Sequence, residues 1–209
     1  MDGMDSQHGR IVRNGSVSFN SNAKAPFNIM SNFHGCVITL GGVTYPSAEH
    51  AFQAQLVTPD FRHFFSTTGP LATLRSGFKT LMPKATDTFI ERKALYWGKK
   101  NNIGVVAKMA SKRDYLYNIH GVRKMDVGFD ECRIIFKTVL VAKLDAFQDF
   151  RELLYETGSK YLFEFSRDAE RRSLTGTTIR WGAMIVDNKV IGHNQMGALM
   201  MWLRKEFVL

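Results

Sequence analysis

The segment that decides how this chain folds is Val43-Thr44-Tyr45-Pro46-Ser47-Ala48-Glu49-His50-Ala51-Phe52-Gln53-Ala54-Gln55. Around its start, residues 36–40 and 43–45 are rich in β-branched side chains and flank Gly41-Gly42, a two-residue turn that tolerates positive φ. This pattern predicts a β-hairpin. Ser47 follows Pro46 and is a typical helix N-cap, so we expect a helix from there to about residue 57.

Two polar side chains stand out in this predicted helix. Glu49 and Gln53 are four residues apart, so they share a face with Phe52, and burying them is costly unless they find partners. Glu49 lies in the first turn, where free N–H groups and the helix dipole favour the ionised form. Such a carboxylate can orient a water or stabilise a cationic transition state. The alternative is structural: Glu49 completes the helix N-terminus, while His50 and Gln53 make internal hydrogen bonds. For the residues alone, this alternative is the commoner outcome.

The remaining chain is predicted to be mainly helical. Start signals occur at Thr58-Pro59 and after Gly69-Pro70. Apolar periodicity predicts further helices over residues 86–97, 105–117, 130–147, 151–157 and 195–207. Residues 162–165 are expected to form a short strand. The fold class predicted is therefore mainly α (α+β), a helical domain with one small hairpin and one or two further short strands.

Domain organisation follows from composition. The first 25 residues are rich in Asn, Ser and Gly and lack periodicity, so we expect a flexible N-terminal arm over 1–25. A length of 209 residues with 44% hydrophobic residues then suits a single domain over 26–209. No apolar run is long enough to span a membrane and no signal core is visible, so a cytoplasmic protein is expected.

The charge and the scattered cysteines and histidines limit the possible partners. The formal net charge of +9 suits a phosphorylated ligand or a nucleic acid, but equally a solvated basic surface. Cys36 and Cys132 lack metal-ligand spacing and are expected to be buried, reduced thiols. The six histidines form no ligand pair. We therefore expect no metal site and no cofactor.

Several segments together resemble the NADAR (YbiA-like) family. Met30-Ser31-Asn32-Phe33, followed by the segment 43–55, is similar to that family's signature. The downstream order is also similar, through residues 141–144, 153–158, 163–164, Trp181-Gly182 and 194–204. The resemblance spans about residues 28–207 and is weak in the middle third.

The resemblance implies a mainly α fold with a few short strands and cleavage of N-glycosidic bonds on ribose phosphates. Members of the family act on riboflavin-pathway intermediates, and others remove ADP-ribose from modified guanine. Glu49 falls on the family's catalytic glutamate. The family's pocket positions correspond to Asn32, His50, Gln53, Trp181 and Asn194.

Two departures from the family pattern affect the expected site. The family has a Trp shortly before the long central helix, where this chain has none; Phe129 or Trp97 are the candidate replacements. The family also has an Asp three residues before its Trp-Gly pair, where this chain has Thr178. We take Asp168 as the second acid. Either departure is compatible with a changed substrate or a lost activity.

The function expected is hydrolysis of the N-glycosidic bond between a ribose phosphate or ADP-ribose and a base. Glu49 would stabilise the positive charge that builds on the sugar, and Asp168 would align the attacking water. Trp181 would stack on the base or sugar, unless it is an ordinary core residue. Asn194 would hold a phosphate at the helix start, or act as a plain N-cap. Further phosphate partners are Arg180 and Arg204.

Two classes of function remain open for this sequence. The enzyme would act on ADP-ribosylated guanine in DNA or RNA, which accounts for the positive charge, or on a free ribose-phosphate N-glycoside such as a riboflavin-pathway intermediate. The alternative is a non-catalytic module that binds ADP-ribose or nucleotides. The missing Trp and the displaced Asp favour the module, whereas Glu49 and its intact helix start favour the enzyme.

Overall fold

The computed structural model describes residues 6–112, 115–174 and 179–209. The chain forms two compact units. The terminal unit comprises Met1–Ser31 and Gln148–Leu209, and the central unit comprises Asn32–Phe147. The prediction of one domain over residues 26–209 stays a prediction.

Short strands lie before and after a continuous run of helices, and the longest helix, of 18 residues, belongs to the central unit. The strands are β1 (Ser16–Phe19), β2 (Gly35–Leu40), β3 (Val43–Ser47), β4 (Tyr161–Glu164), β5 (Met184–Val186) and β6 (Lys189–Ile191). The α-helices are α1 (Ala48–Ala54), α2 (Leu74–Leu81), α3 (Asp87–Gly98), α4 (Gly104–Ala110), α5 (Tyr115–His120), α6 (Phe129–Ala146), α7 (Gln148–Glu156), α8 (Asp168–Leu174) and α9 (Gln195–Phe207). Two 3₁₀ helices are Phe27–Met30 and Pro59–Phe65. The predicted fold class, mainly α with small sheets, is confirmed.

The predicted hairpin is confirmed in the central unit. Strands β2 and β3 are antiparallel, with Ile38 opposite Tyr45, and both side chains are buried. Gly41 and Gly42 have φ of 57° and 78°. Positive φ at both turn positions is the geometry of the two-residue hairpin turn that matches the twist of the strands.

Helix α1 begins where the sequence predicted, but it ends earlier than residue 57. Ser47 is its N-cap and its hydroxyl accepts a hydrogen bond from the backbone N–H of His50. The helix ends at Ala54 because the next residues pair elsewhere: Val57 forms a β-bridge with Lys124, and the N–H of Met125 donates to the carbonyl of Leu56. All seven residues of α1 are buried.

Two helix predictions in the middle of the chain are wrong in their bounds. The helix expected directly after Gly69-Pro70 begins only at Leu74, because Thr73 and Ser76 form a capping box there. The helix expected over 105–117 is split into α4 and α5. Helix α4 ends at Ala110, and the hydroxyl of Ser111 donates back to the carbonyl of Lys108.

The long helix α6 confirms the strongest helical prediction. Its buried residues recur at helical spacing, and one of them, Phe136, stacks on Phe52 of α1 with ring centroids 3.6 Å apart. The buried face comprises Phe136, Val139, Leu140, Lys143 and Leu144. A lysine therefore lies on the apolar face.

The N-terminal prediction needs correction for the residues that the structure describes. Strand β1 lies inside the predicted arm, runs parallel to β4 and pairs Ser16 with Tyr161. Val17 and Phe19 are buried. This part of the chain is ordered because backbone pairing to β4 and burial of two apolar side chains both fix it.

Around β4, the terminal unit also contains helix α9 packed on that strand and the small hairpin of β5 and β6. The predicted strand over 162–165 and the predicted helix over 195–207 correspond to β4 and α9 and are confirmed. Within the described part of the chain, no helix is both long and apolar enough to cross a membrane.

Candidate active site

Glu49 is a buried carboxylate at the start of α1, only 3% exposed. The amide Nε2 of Gln53 donates to its Oε1 at 2.8 Å, and the Lys108 ammonium lies 3.6 Å from the same oxygen. Both contacts therefore orient the carboxylate through one oxygen.

The backbone around Glu49 is fixed by close approach of three segments. The N–H of Glu49 donates to the carbonyl of Asn32 at 2.9 Å, and the N–H of Gly104 donates to that of Phe33 at 3.0 Å. A Cβ on Gly104 would lie 2.6 Å from the Cα of Phe33 and 3.0 Å from the Cβ of Glu49. Only a glycine at the start of α4 allows this approach. Asn32, Glu49 and Gln53, all predicted site residues, are thus brought together.

The ring of His50 is buried, and both of its nitrogens are engaged within the central unit. Its Nδ1 lies 2.8 Å from the hydroxyl of Ser47, and its Nε2 lies 3.0 Å from the carbonyl of Leu71. A carbonyl only accepts, so Nε2 donates and Nδ1 accepts from the hydroxyl. Burial lowers the pKa of His50 to about 4. Both ring nitrogens are occupied, so the prediction that His50 binds substrate is not supported by its surroundings.

A buried lysine is the feature that the sequence did not single out. Lys143 is fully buried, and burial lowers its pKa to about 8, while the nearby Cys36 thiol raises it. Burial raises the pKa of Cys36 itself; Lys143 and a hydrogen bond from the backbone of Ala48, the first residue of α1, act in the opposite direction. Lys143 and Cys36 therefore lie close to the helix start that carries Glu49. The spacing of residues 136, 139, 140, 143 and 144 would have placed this lysine on the buried face.

His34 adds a polar group beside Lys143. The amide Nδ2 of Asn101 donates to its Nε2 at 3.1 Å, which places the ring proton on Nδ1. Nδ1 is buried and has no hydrogen-bond partner among the described residues. Burial and the charge of Lys143 lower the pKa of His34 to about 4. The ring is therefore neutral at pH 7, and its Nδ1–H is a donor without an acceptor among the described residues.

Two residues predicted to hold phosphate are instead used within the terminal unit. Asn194 is fully buried; its Nδ2 donates to the carbonyl of Leu162 and to the hydroxyl of Tyr161, both at 2.9 Å, and its Oδ1 accepts from the N–H of Glu164 at 3.1 Å. It precedes α9 with φ of 50° and makes no side-chain cap. The side chain ties α9 to β4 instead of capping the helix, and the phosphate role given to Asn194 stays a prediction.

Arg204 is likewise an internal tie. It is 7% exposed, and its guanidinium donates to the hydroxyl of Thr157 at 2.7 Å and to the carbonyl of Lys160 at 3.0 Å. Burial lowers its pKa. These contacts hold the end of α7 against α9, and the prediction that Arg204 is a phosphate partner stays a prediction.

Three further predicted site residues, Asp168, Arg180 and Trp181, belong to the terminal unit. Asp168 begins α8, is 57% exposed and forms an ion pair with Arg171 at 3.1 Å, which is a surface environment. Arg180 is exposed and Trp181 is half-buried, both in the terminal unit. Thr178 lies outside the described residues. The roles given to Asp168, Arg180 and Trp181 stay predictions.

The two candidates for the family's missing Trp both belong to the central unit. Phe129 is the first residue of α6 and is half-buried. Trp97 lies near the end of α3 and is also half-buried, with the ring of Tyr96 edge-on at 5.0 Å. Neither position distinguishes a substrate contact from packing. Among the described residues, no cluster of His, Cys, Asp or Glu could hold a metal ion.

Comparison with known proteins identifies the fold. No protein-family model matches the chain. No curated protein matches it either. The NMR structure of the E. coli protein YbiA is similar, with a TM-score of 0.52 over 98% of this chain and 92% of that chain, at 20% sequence identity. The chain therefore has a YbiA-like fold, and its activity must be argued from its own site.

Proposed function

We propose that this protein is a hydrolase of the N-glycosidic bond between a base and a ribose phosphate or ADP-ribose, with Glu49 as its main catalytic carboxylate. The observation that carries the proposal is the environment of Glu49: the carboxylate is 3% exposed, and Gln53 and Lys108 both contact its Oε1. Burying a carboxylate costs free energy, so a buried carboxylate that is held in one orientation is a candidate functional group.

The chemistry of the reaction suits this arrangement. Breaking a ribosyl–nitrogen bond builds positive charge on the anomeric carbon and the ring oxygen. A carboxylate that is already oriented stabilises this charge without reorganising, and exclusion of water strengthens the attraction. Gln53 and Lys108 hold Oε1, so Oε2 is the atom proposed to face the sugar.

The buried polar groups near the start of α1 supply the second part of the proposal. An amine with a pKa of about 8 has a neutral fraction near neutral pH, so Lys143 can accept a proton. His34 offers an Nδ1–H donor that no described residue accepts from. We therefore place the supporting groups of the reaction at Lys143 and His34, in the same unit as Glu49, in preference to Asp168.

A binding module remains the second candidate, because of one observation. Asp168, which was predicted to align the attacking water, is an exposed side chain paired with Arg171. A chain that kept Glu49 for ligand recognition but lacked a second acid would bind ADP-ribose or a nucleotide without turnover.

The test compares wild type with Glu49→Gln, and with Glu131→Gln as a matched control on an exposed position of the same unit. Hydrolysis of ADP-ribosyl-guanosine and of free ribose-phosphate N-glycosides is followed by chromatography of the released base. We expect Glu49→Gln to lower the rate at least about 100-fold, the loss typical of one preorganised electrostatic group, and the control to retain activity.

Other outcomes separate the hypotheses. Wild type that binds ADP-ribose but turns over none of these substrates indicates the binding module. Turnover that Glu49→Gln leaves unchanged keeps the hydrolase and removes Glu49 from its mechanism. Thermal unfolding of both variants checks that a loss of activity is not a loss of fold.

A further inference from the structure

The stretch from the start of α2 to the two lysines after α3 carries a concentration of positive charge that the proposed reaction does not use. Seven of the residues between 74 and 100 are Lys or Arg and two are acidic, so this short stretch accounts for about half of the net charge of +9. Helix α3 is also poorly covered, since Ile90 is its only buried residue. Leu95 and Tyr96 are 61% and 54% exposed.

The acidic residues of α3 are already neutralised on one side. Asp87 forms an ion pair with Lys79, and Glu91 forms one with Arg75, at 3.5 and 3.1 Å. Both partners belong to α2, the helix packed against α3. The acidic groups therefore lie along the edge next to α2, and the charge left over on α3 is positive.

The other edge of α3 alternates aromatic and basic side chains at helical spacing. Positions 89, 92, 93, 96, 97 and 100 follow one another at intervals of three, one, three, one and three residues, which places them on one stripe. Cations lie over the rings in this stripe at 4.4 to 5.7 Å from the ring centroids. We call it the α3 stripe; its members are Phe89, Arg92, Lys93, Tyr96, Trp97 and Lys100.

We infer that the α3 stripe binds single-stranded nucleic acid. Lys and Arg contact phosphates, and exposed aromatic rings stack on unpaired bases, so basic and aromatic side chains in alternation match such a strand. From Phe89 to Lys100 the stripe is roughly 17 Å long at about 1.5 Å per residue, enough for a few nucleotides. A duplex would bury its bases and leave the rings of Tyr96 and Trp97 without stacking partners.

The stripe ends beside the segment that approaches Glu49. Asn101 follows Lys100 directly; its carbonyl accepts from the N–H of Gly35, and its side chain reaches His34. Gly104, three residues on, lies against Glu49. A strand bound along α3 is therefore directed towards the candidate site within one unit. The binding itself does not depend on the proposed hydrolysis.

Fluorescence anisotropy with labelled 20-nucleotide single strands of DNA and of RNA tests the inference. We compare wild type with Arg92→Gln/Lys93→Gln and with a control of equal charge change on exposed residues of the terminal unit, Arg167→Gln/Lys205→Gln. We expect the affinity of the α3 variant to fall at least about tenfold. The slope of the logarithm of affinity against the logarithm of salt concentration should decrease by the equivalent of one to two phosphate contacts, since each contact contributes about 0.7 to that slope. The control should stay within about twofold.

A second pair of variants isolates stacking from charge. Tyr96→Ala should weaken binding at least about fivefold, because stacking contributes about 1–3 kcal/mol per base. The control is Tyr155→Ala in the terminal unit, which should not weaken binding although Tyr155 is 64% exposed against 54% for Tyr96. The inference is overturned if neither strand binds, if the control loses as much affinity as the α3 variant, or if only duplex or anionic phospholipid vesicles bind. Because anisotropy reports binding alone, failure of the hydrolase proposal leaves these outcomes unchanged.

Discussion

Two buried ionisable side chains of the central unit, Glu49 and Lys143, are stabilised in different ways. Glu49 keeps its charge partners close: the Gln53 amide and the Lys108 ammonium both contact Oε1. Lys143 is fully buried, and burial lowers its pKa to about 8, so its charged form is less favourable in the fold than in water. Burial of the ammonium therefore costs stability, whereas the Glu49 carboxylate is compensated in part.

Replacing the buried lysine should make the protein more stable. At pH 7 the folded chain holds Lys143 as a charge in a site where its pKa is about 8 instead of 10.5. Lys143→Met removes this cost, so we expect the free energy of unfolding to rise by about 1–3 kcal/mol. Above pH 8 the native lysine becomes neutral, so the gain should shrink and disappear by about pH 10.5.

Urea unfolding of Lys143→Met and wild type at pH 7 and pH 9.5 measures this effect. Lys160→Met, at an exposed position, serves as the control and should change stability little. A loss of stability at pH 7 in Lys143→Met would contradict the prediction. If activity falls while stability rises, the cost of burying this lysine is maintained for function.

At the scale of single residues, the sequence indicates which side chains are candidates for the site better than it indicates which partners those side chains contact. Glu49, Gln53 and Asn32 were identified and lie together in the structure. Asn194 and Arg204 were identified as well, but their side chains are engaged by β4 and by the end of α7, contacts between residues 30 to 47 positions apart. A local pattern contains no information on such partners. Lys143 occupies a position of the buried stripe of α6, but apolar periodicity does not predict a lysine on that face.

At the scale of elements, the central feature is the close contact of α1 with α4. Their approach is set by Gly104, where a Cβ would meet the Cα of Phe33 at 2.6 Å, the Cβ of Glu49 at 3.0 Å and the hydroxyl of Ser47 at 3.1 Å. Two of these atoms belong to the N-terminus of α1 and its cap. The position of the Glu49 carboxylate therefore depends on the absence of a side chain at residue 104.

We expect Gly104→Ala to destabilise the protein by about 1–3 kcal/mol and to lower hydrolysis, because the extra methyl group displaces either Phe33 or the start of α1. Gly98→Ala is the matched control in a helix, since its nearest atom would be 3.7 Å away. The control should be neutral or slightly stabilising, as alanine is the better helix former. Urea unfolding checks both variants; equal stability of the two would refute the packing argument.

Helices and strands that are encoded by neighbouring residues were predicted, whereas a strand that depends on pairing with a segment far along the sequence was not. The hairpin of β2 and β3, the Ser47 cap of α1 and the apolar stripe of α6 are each encoded within fewer than 20 residues. Strand β1 exists because Ser16–Phe19 pairs with Tyr161–Glu164, far along the chain. Its sequence carries only four residues of alternation, so it could not be separated from an irregular arm.

At the scale of the whole molecule, stability should depend on pH through two buried histidines. Burial lowers the pKa of both His34 and His50 from 6.5 to about 4. Between these values the unfolded chain binds protons that the folded chain does not, so protonation favours unfolding as the pH falls. The contribution is fully present above pH 6.5 and is lost progressively down to about pH 4, by up to about 3 kcal/mol for each histidine.

Urea unfolding of wild type at pH 7.5, 6 and 5 should therefore show a falling free energy of unfolding before most carboxylates titrate. His50→Gln and His34→Gln should each be less stable at pH 7.5 but should show a weaker dependence on pH, because one depressed pKa is absent. The two effects should be additive, because the hydrogen-bond partners of the two histidines differ: Ser47 and Leu71 for His50, Asn101 for His34. A free energy of unfolding that stays constant from pH 7.5 to 5 would mean that neither imidazole is held neutral by the fold.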